Sequence, residues 1–321
     1  VTGATSPAPS GTSTPFTSVP RLDVLVFVIV ASGLAWLVAI PLWRTDAGLA
    51  SPVAGLILPV MMFTPCVATL AVLFTRPRLG ARAATRLLGL WPLRPLKRTI
   101  AFTALAVVAM PVLVGTGILF AAALGFVDLD VLHLSGFRSA LEAASGRELP
   151  VPVWTVAAVQ LLTIPLGAAV NGVLAFGEEV GWRGWLLPAL LPMGKWPALL
   201  LTGVLWGAWH SPIILLGYDF DEPNLGGVGL MIVATALLGV IFGWLRLASG
   251  SLWPAVLAHG ALNAVGGLVN VFVAEGQPVE AALAGPLGVG SWIAMTLAVV
   301  VLVLTRQLPL SLTVGGRPSR R

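Results

Sequence analysis

The 321-residue chain is 57% hydrophobic and only 10% charged, with a formal net charge of +5 at pH 7, whereas soluble domains carry about 25% charged residues. A water-soluble fold is excluded, and the single cysteine, Cys66, excludes an intramolecular disulfide and a cysteine-based zinc site. No polar linker divides the chain, which reads as one unit, an all-α polytopic membrane bundle.

Residues 1–20 are rich in Thr, Ser, Pro, Gly and Ala and carry no charge before Arg21, so they read as a flexible N-terminal tail. The apolar run that follows is too long for a signal-peptide core and has no basic region in front of it, so it is expected to stay as the first span. A bilayer core about 30 Å thick needs about 20 apolar residues in helical form. Eight segments meet that requirement: 22–43, 53–74, 99–124, 152–180, 197–217, 226–246, 252–272 and 287–305. They make a membrane domain over 21–306, followed by a basic tail over 307–321.

The loops test this division, because lysine and arginine accumulate on the cytoplasmic side. With both termini in the cytoplasm, that side holds Arg21, the cluster from Arg76 to Arg98, Arg183, Lys195, Arg246 and the arginines from 306 onward, 15 of the 18 cations. The other side keeps Arg44, Arg138 and Arg147 but carries ten of the 13 acids, among them Asp130, Asp219 and Glu275. Within 75–98, Arg78, Arg82 and Arg86 recur every fourth residue opposite Leu79, Ala83, Leu87 and Leu90. An interfacial helix on anionic lipid would fit, although an ordinary positive-inside loop accounts for the same charges more simply. No half-chain repeat supports a duplicated transporter, and nothing points to a nucleic-acid partner.

The chemistry is expected where polar residues interrupt apolar segments, since an ionisable group in a membrane helix is costly unless it serves a cavity or a partner. Glu178 and Glu179 close the fourth segment, His210 lies in the fifth, and His259 and Asn263 lie in the seventh. His133, in an outer loop, reads as a solvated surface residue. Glu179 and Arg183 are four apart and pair along one helix face, while Glu178 points about 100° away and is left free to act as a base. His259 and Asn263 share one face, an arrangement suited to an oxyanion site, and His210 is placed to hold the attacking water. Gly177, Gly181 and Gly184 read as packing glycines, and Trp182, Trp185, Trp206 and Trp209 as anchors and core filling. Counted from their helix starts, His210 lies about 20 Å and His259 about 8 Å from the cytoplasmic end, a mismatch that tilt or a kink at Ser211-Pro212 would have to close.

These residues resemble the CAAX protease and bacteriocin-processing family, the type II prenyl-protein endopeptidases. Glu178-Glu179-Val180-Gly181-Trp182-Arg183 fits Glu-Glu-x-x-x-Arg, Trp206 to His210 fits aromatic-x-x-x-His, and His259 to Asn263 fits His-x-x-x-Asn. Trp206 stands where phenylalanine is more usual. The resemblance implies an eight-helix intramembrane endopeptidase with its core at about 152–272, in which Glu178 and His210 activate water and His259 and Asn263 form the oxyanion site. Glu179 and Arg183 support them.

Both metal-dependent and metal-free chemistry are discussed for this family. Glu178, His210 and His259 would be the zinc ligands, but the lack of a His-Glu-x-x-His segment favours a reaction with no cofactor. The expected setting is a bacterial plasma membrane with the site toward the cytoplasmic side, and the expected substrate is a membrane-associated peptide or protein, lipidated or not. The alternative is a bacteriocin-immunity or peptide-binding protein that does not cut.

Overall fold

A computed structural model describes residues 16–75 and 79–309; the expected terminal tails fall largely outside them, as does Arg78. The chain is all-α. In order, its helices are α1 (Arg21–Trp43), α2 (Ala54–Met62), α3 (Thr64–Phe74), α4 (Ala81–Leu87), α5 (Leu96–Ala123), α6 (Ser135–Ser145), α7 (Val153–Leu162), α8 (Ile164–Glu179), α9 (Leu187–Leu190), α10 (Lys195–Trp209), α11 (Ser211–Ile214), α12 (Leu225–Ser249), α13 (Trp253–Ala264), α14 (Val269–Phe272), α15 (Ala281–Ala284) and α16 (Val289–Leu304).

Among the described residues five apolar helical stretches are long enough to cross a membrane: Arg21–Trp43, Ala54–Phe74, Leu96–Ala123, Leu225–Ser249 and Ala281–Leu304. A sixth is the pair Val153–Leu162 and Ile164–Met193, bent by 47°. This set fits an integral membrane protein. The expected segments 197–217 and 252–272 form shorter helices, α10 with 15 residues and α13 with 12. Three breaks have one cause. Pro65, Pro165 and Pro212 each sit two residues after Phe63, Thr163 and His210, where one helix ends and the next begins. Proline offers no N–H and its ring crowds the carbonyl four residues back, which favours a break there, although α1, α2 and α5 continue through Pro41, Pro59 and Pro111. Among the described residues of the basic segment before α5, the helix is the seven-residue α4, with Arg82 and Arg86 exposed, rather than a long interfacial helix.

Small residues set the packing. In α1, Phe27, Ala31, Ala35 and Ala39 recur every fourth residue on the buried face. The α10–α12 seam is closer still: a Cβ on Gly239 would lie 2.8 Å from the Cα of Gly203. In α13, a Cβ on Gly260 would lie 2.9 Å from the Cα of Gly172 in α8. Close backbone approach of this kind is how helices associate where lipid removes the hydrophobic drive between them. It also brings the Glu178 helix against the His259 helix.

The bundle has two unlike ends. At the basic end the Arg246 Nη2 donates to the Leu87 carbonyl at 3.0 Å, and the Leu252 N–H donates to Gly89 at 2.9 Å. At the acidic end an isolated antiparallel bridge joins Leu129 to Val273, flanked by 2.9 Å bonds from Asp130 N–H to Phe272 and from Ala274 N–H to Asp128.

Candidate active site

A cavity of about 460 Å³ takes Glu178, His210, His259 and Asn263 into one wall system, with Asn171, Thr235, Tyr218 and Asp219. The four residues singled out in the sequence are therefore brought together, although they arrive on three helices. Glu178 ends α8, His210 caps α10 at its proline break, and His259 and Asn263 lie one turn apart on α13. Despite the depth mismatch the two histidines reach one cavity, with Trp206 between them, its ring centroid 5.3 Å from that of His259 and 5.9 Å from that of His210.

The two adjacent glutamates do different things. Glu178 is 2% exposed, and its Oε2 accepts a 2.6 Å hydrogen bond from the Trp206 indole N–H. Its Oε1 makes no hydrogen bond to a described residue. Glu179 is fully buried and does not line the cavity. Its Oε1 accepts from Arg183 Nη1 at 2.9 Å and lies 2.9 Å from His259 Nδ1. A carboxylate can only accept there, so Nδ1 of His259 carries a proton. The same reasoning applies to His210, whose Nδ1 lies 2.9 Å from the Trp206 carbonyl oxygen. In both rings Nε2 is the atom left for chemistry.

Beneath the cavity the side chains are closely packed. The Arg183 guanidinium, fully buried, sits 4.2 Å from the Trp206 ring centroid and 5.1 Å from that of Phe242. Such stacking compensates a buried guanidinium for lost water. Trp182 and Trp185, 1% and 0% exposed, pack on Phe27 at centroid distances of 5.4 and 5.1 Å. Gly177 and Gly181 admit the α2–α3 break: a Cβ on Gly177 would lie 2.8 Å from the Met62 oxygen, and one on Gly181 would strike Pro65. The helix turns in a π-type manner over Val180–Leu186, directly after the two glutamates, a geometry that often accompanies functional sites.

Glu178 and His259 lie six residues, roughly 9 Å along their helices, from the basic-end contacts of Gly184 with Leu88 and Trp253 with Leu90. The cavity nevertheless rises the other way. Its far walls are Gly55, Tyr218, Asp219, Gly266 and Pro286, and it meets a second cavity of about 310 Å³ that shares Asp219, Gly266, Pro286 and Leu287. No residue of the basic-end segment 79–95 lines it.

Sequence reasoning missed the indole bond of Trp206, the His259–Glu179 contact and the place of Asp219. A buried tryptophan N–H needs a partner, and Trp206 lies one turn from His210, so that signal was present. Asp219 lies in the loop after α11, outside the spans, with its side chain open to the cavity. The enclosing protein strips its water and, with a smaller push from the Glu178 charge, raises its carboxyl to about 7.

Among the described residues no three His, Cys, Asp or Glu side chains converge as a metal site would require. Glu178, His210 and His259 therefore do not fit a zinc ion in this arrangement, and no step below passes through one.

Residues 153–265, which contain all three motifs, match the family described as type II CAAX prenyl endopeptidase, Rce1-like. No curated protein matches the chain.

Proposed function

The chain belongs, through residues 153–265, to the Rce1-like type II CAAX prenyl endopeptidase family, and from that premise we propose that it is an intramembrane endopeptidase using Glu178 as its base. The observation that carries this reading is the division of labour within one carboxylate: Trp206 holds Oε2, and Oε1 remains for a water.

In the proposed reaction His210 Nε2 orients a water and Glu178 Oε1 removes its proton as the oxygen attacks the scissile carbonyl. His259, carrying a second proton on Nε2 as the imidazolium, and Asn263 donate to the carbonyl oxygen as it gains negative charge, an effect worth about 3 to 4 kcal/mol per donor in a water-poor cavity. The proton held on Glu178 passes to the amide nitrogen as the C–N bond breaks, giving a carboxylic acid and an amine, which leave as carboxylate and ammonium. Glu179 and Arg183 act beneath, one fixing the His259 ring and the other balancing the carboxylates. No metal or other cofactor takes part.

The basic end lies in the cytoplasm of a bacterial plasma membrane in this proposal, with both termini inside and α10 and α13 completing eight crossings. Short buried helices do this where neighbouring helices satisfy their ends. The exposed arginines of α4 meet anionic lipid. The substrate is a membrane-associated peptide or protein.

The test is cleavage of prenylated and unmodified membrane peptides by the purified protein, with Glu178→Gln and Asn263→Ala variants alongside. Turnover that both variants lose, with folding intact, supports the mechanism. Turnover retained by Glu178→Gln removes Glu178 from it, and peptide binding without turnover in the wild type favours an immunity or peptide-binding protein.

A further inference from the structure

We propose that the cavity receives its peptide from the acidic end and that Asp219 there binds a positive charge on it, a lysine or arginine side chain or a free amino terminus. The proposal deepens the peptidase reading and rests on it for the identity of the ligand as a peptide.

Four observations carry it. The cavity wall contains two carboxylates, Glu178 and Asp219, and no lysine or arginine. Asp219 makes no hydrogen bond or ion pair with a described residue, and its side chain is open where the two cavities meet. The loop that presents it is fixed: Phe220 is buried against Ile214 and Met231, and the N–H groups of Tyr218 and Asp221 donate to Ile213 and Gly217 at 3.1 and 3.0 Å. The floor, by contrast, is closed by Trp206, Phe242 and Arg183.

A carboxylate held at the cavity mouth with no partner leaves its charge uncompensated, and a substrate cation entering there supplies the opposite charge. Asp219 is therefore a specificity residue: it selects which peptide enters, and Glu178 cuts it.

The experiment uses full-length protein in nanodiscs and one fluorescent apolar peptide in lysine-scanned, glutamine-scanned and glutamate-scanned forms. Binding is measured on the Glu178→Gln background, so that it does not depend on turnover. Expected is tighter binding of at least one lysine peptide than of its glutamine counterpart by about tenfold, a preference lost in Asp219→Asn and shifted toward the glutamate peptide in Asp219→Lys. Equal affinity for all three series, or a lysine preference that survives Asp219→Asn, overturns the proposal. A lysine preference with no cleavage by wild type sustains the cation site and counts against the peptidase reading alone.

Discussion

Glu178 and Glu179 are neighbours in sequence, yet one belongs to an open cavity and the other to a sealed floor. Above, Glu178 has one oxygen held by an indole and one free. Below, Glu179 is clasped by Arg183 and His259, and Trp182 and Trp185 of the same floor are 1% and 0% exposed. A helix rotation of about 100° per residue separates the two roles. The lesson is that the same side chain becomes a reagent or a strut according to whether its face meets space or packing.

Three substitutions probe that difference, beginning with the largest effect, and a fourth test reads a distant loop for contrast. Glu178→Gln keeps the shape and the indole partner but removes the base, so kcat should fall about 10²- to 10⁴-fold with little change in melting temperature. Glu179→Ala should do the reverse of this, leaving Arg183 charged and unpaired and costing about 3–5 kcal/mol of stability; a thermal melt in detergent reads it. Equal behaviour of the two variants would erase the distinction.

Trp206→Phe restores the more usual residue of its motif and deletes one hydrogen bond to a charged group, worth about 1.5–3 kcal/mol. About a tenfold loss in kcat is expected, with KM less affected, and steady-state kinetics would show whether the indole positions Glu178 or merely fills space. The smallest effect lies far from the site. Bonds from Ser135 and His133 hold the Asp130 carboxyl down to about 2 from its ordinary 3.8. A lowered folded value stabilises above the unfolded value and is lost as pH falls. The 128–135 loop should therefore loosen between about pH 4 and 2, seen as faster hydrogen exchange at its amides, and Asp130→Asn should abolish that transition.

Local relations in this molecule were legible from sequence, and non-local ones were not. The Glu179–Arg183 pair and the shared face of His259 and Asn263 follow from helical spacing, and the outward turn of Glu178 follows with them. The reach of His259 back to Glu179 spans 80 residues of chain, and no periodicity encodes it. Hydropathy found every apolar segment but not the bend at Thr163, because a proline near a helix start reads equally as a first-turn proline. Asp219 was counted as one more outer acid, since composition cannot tell a loop that faces solvent from one that turns into a cavity.

The floor beneath Glu178 has a further consequence, which concerns the membrane rather than the substrate. In the proposed membrane setting, a water-filled cavity leaves only its floor as the barrier between the two sides. That floor holds the positive charge of Arg183 and the layer of Phe27, Trp182 and Trp185, and a buried arginine set in a hydrophobic constriction is a barrier to cations. Under the proposed function, the same residues that brace the catalytic carboxylate would also insulate the cell, letting water reach a peptide bond inside the membrane without discharging the potential across it.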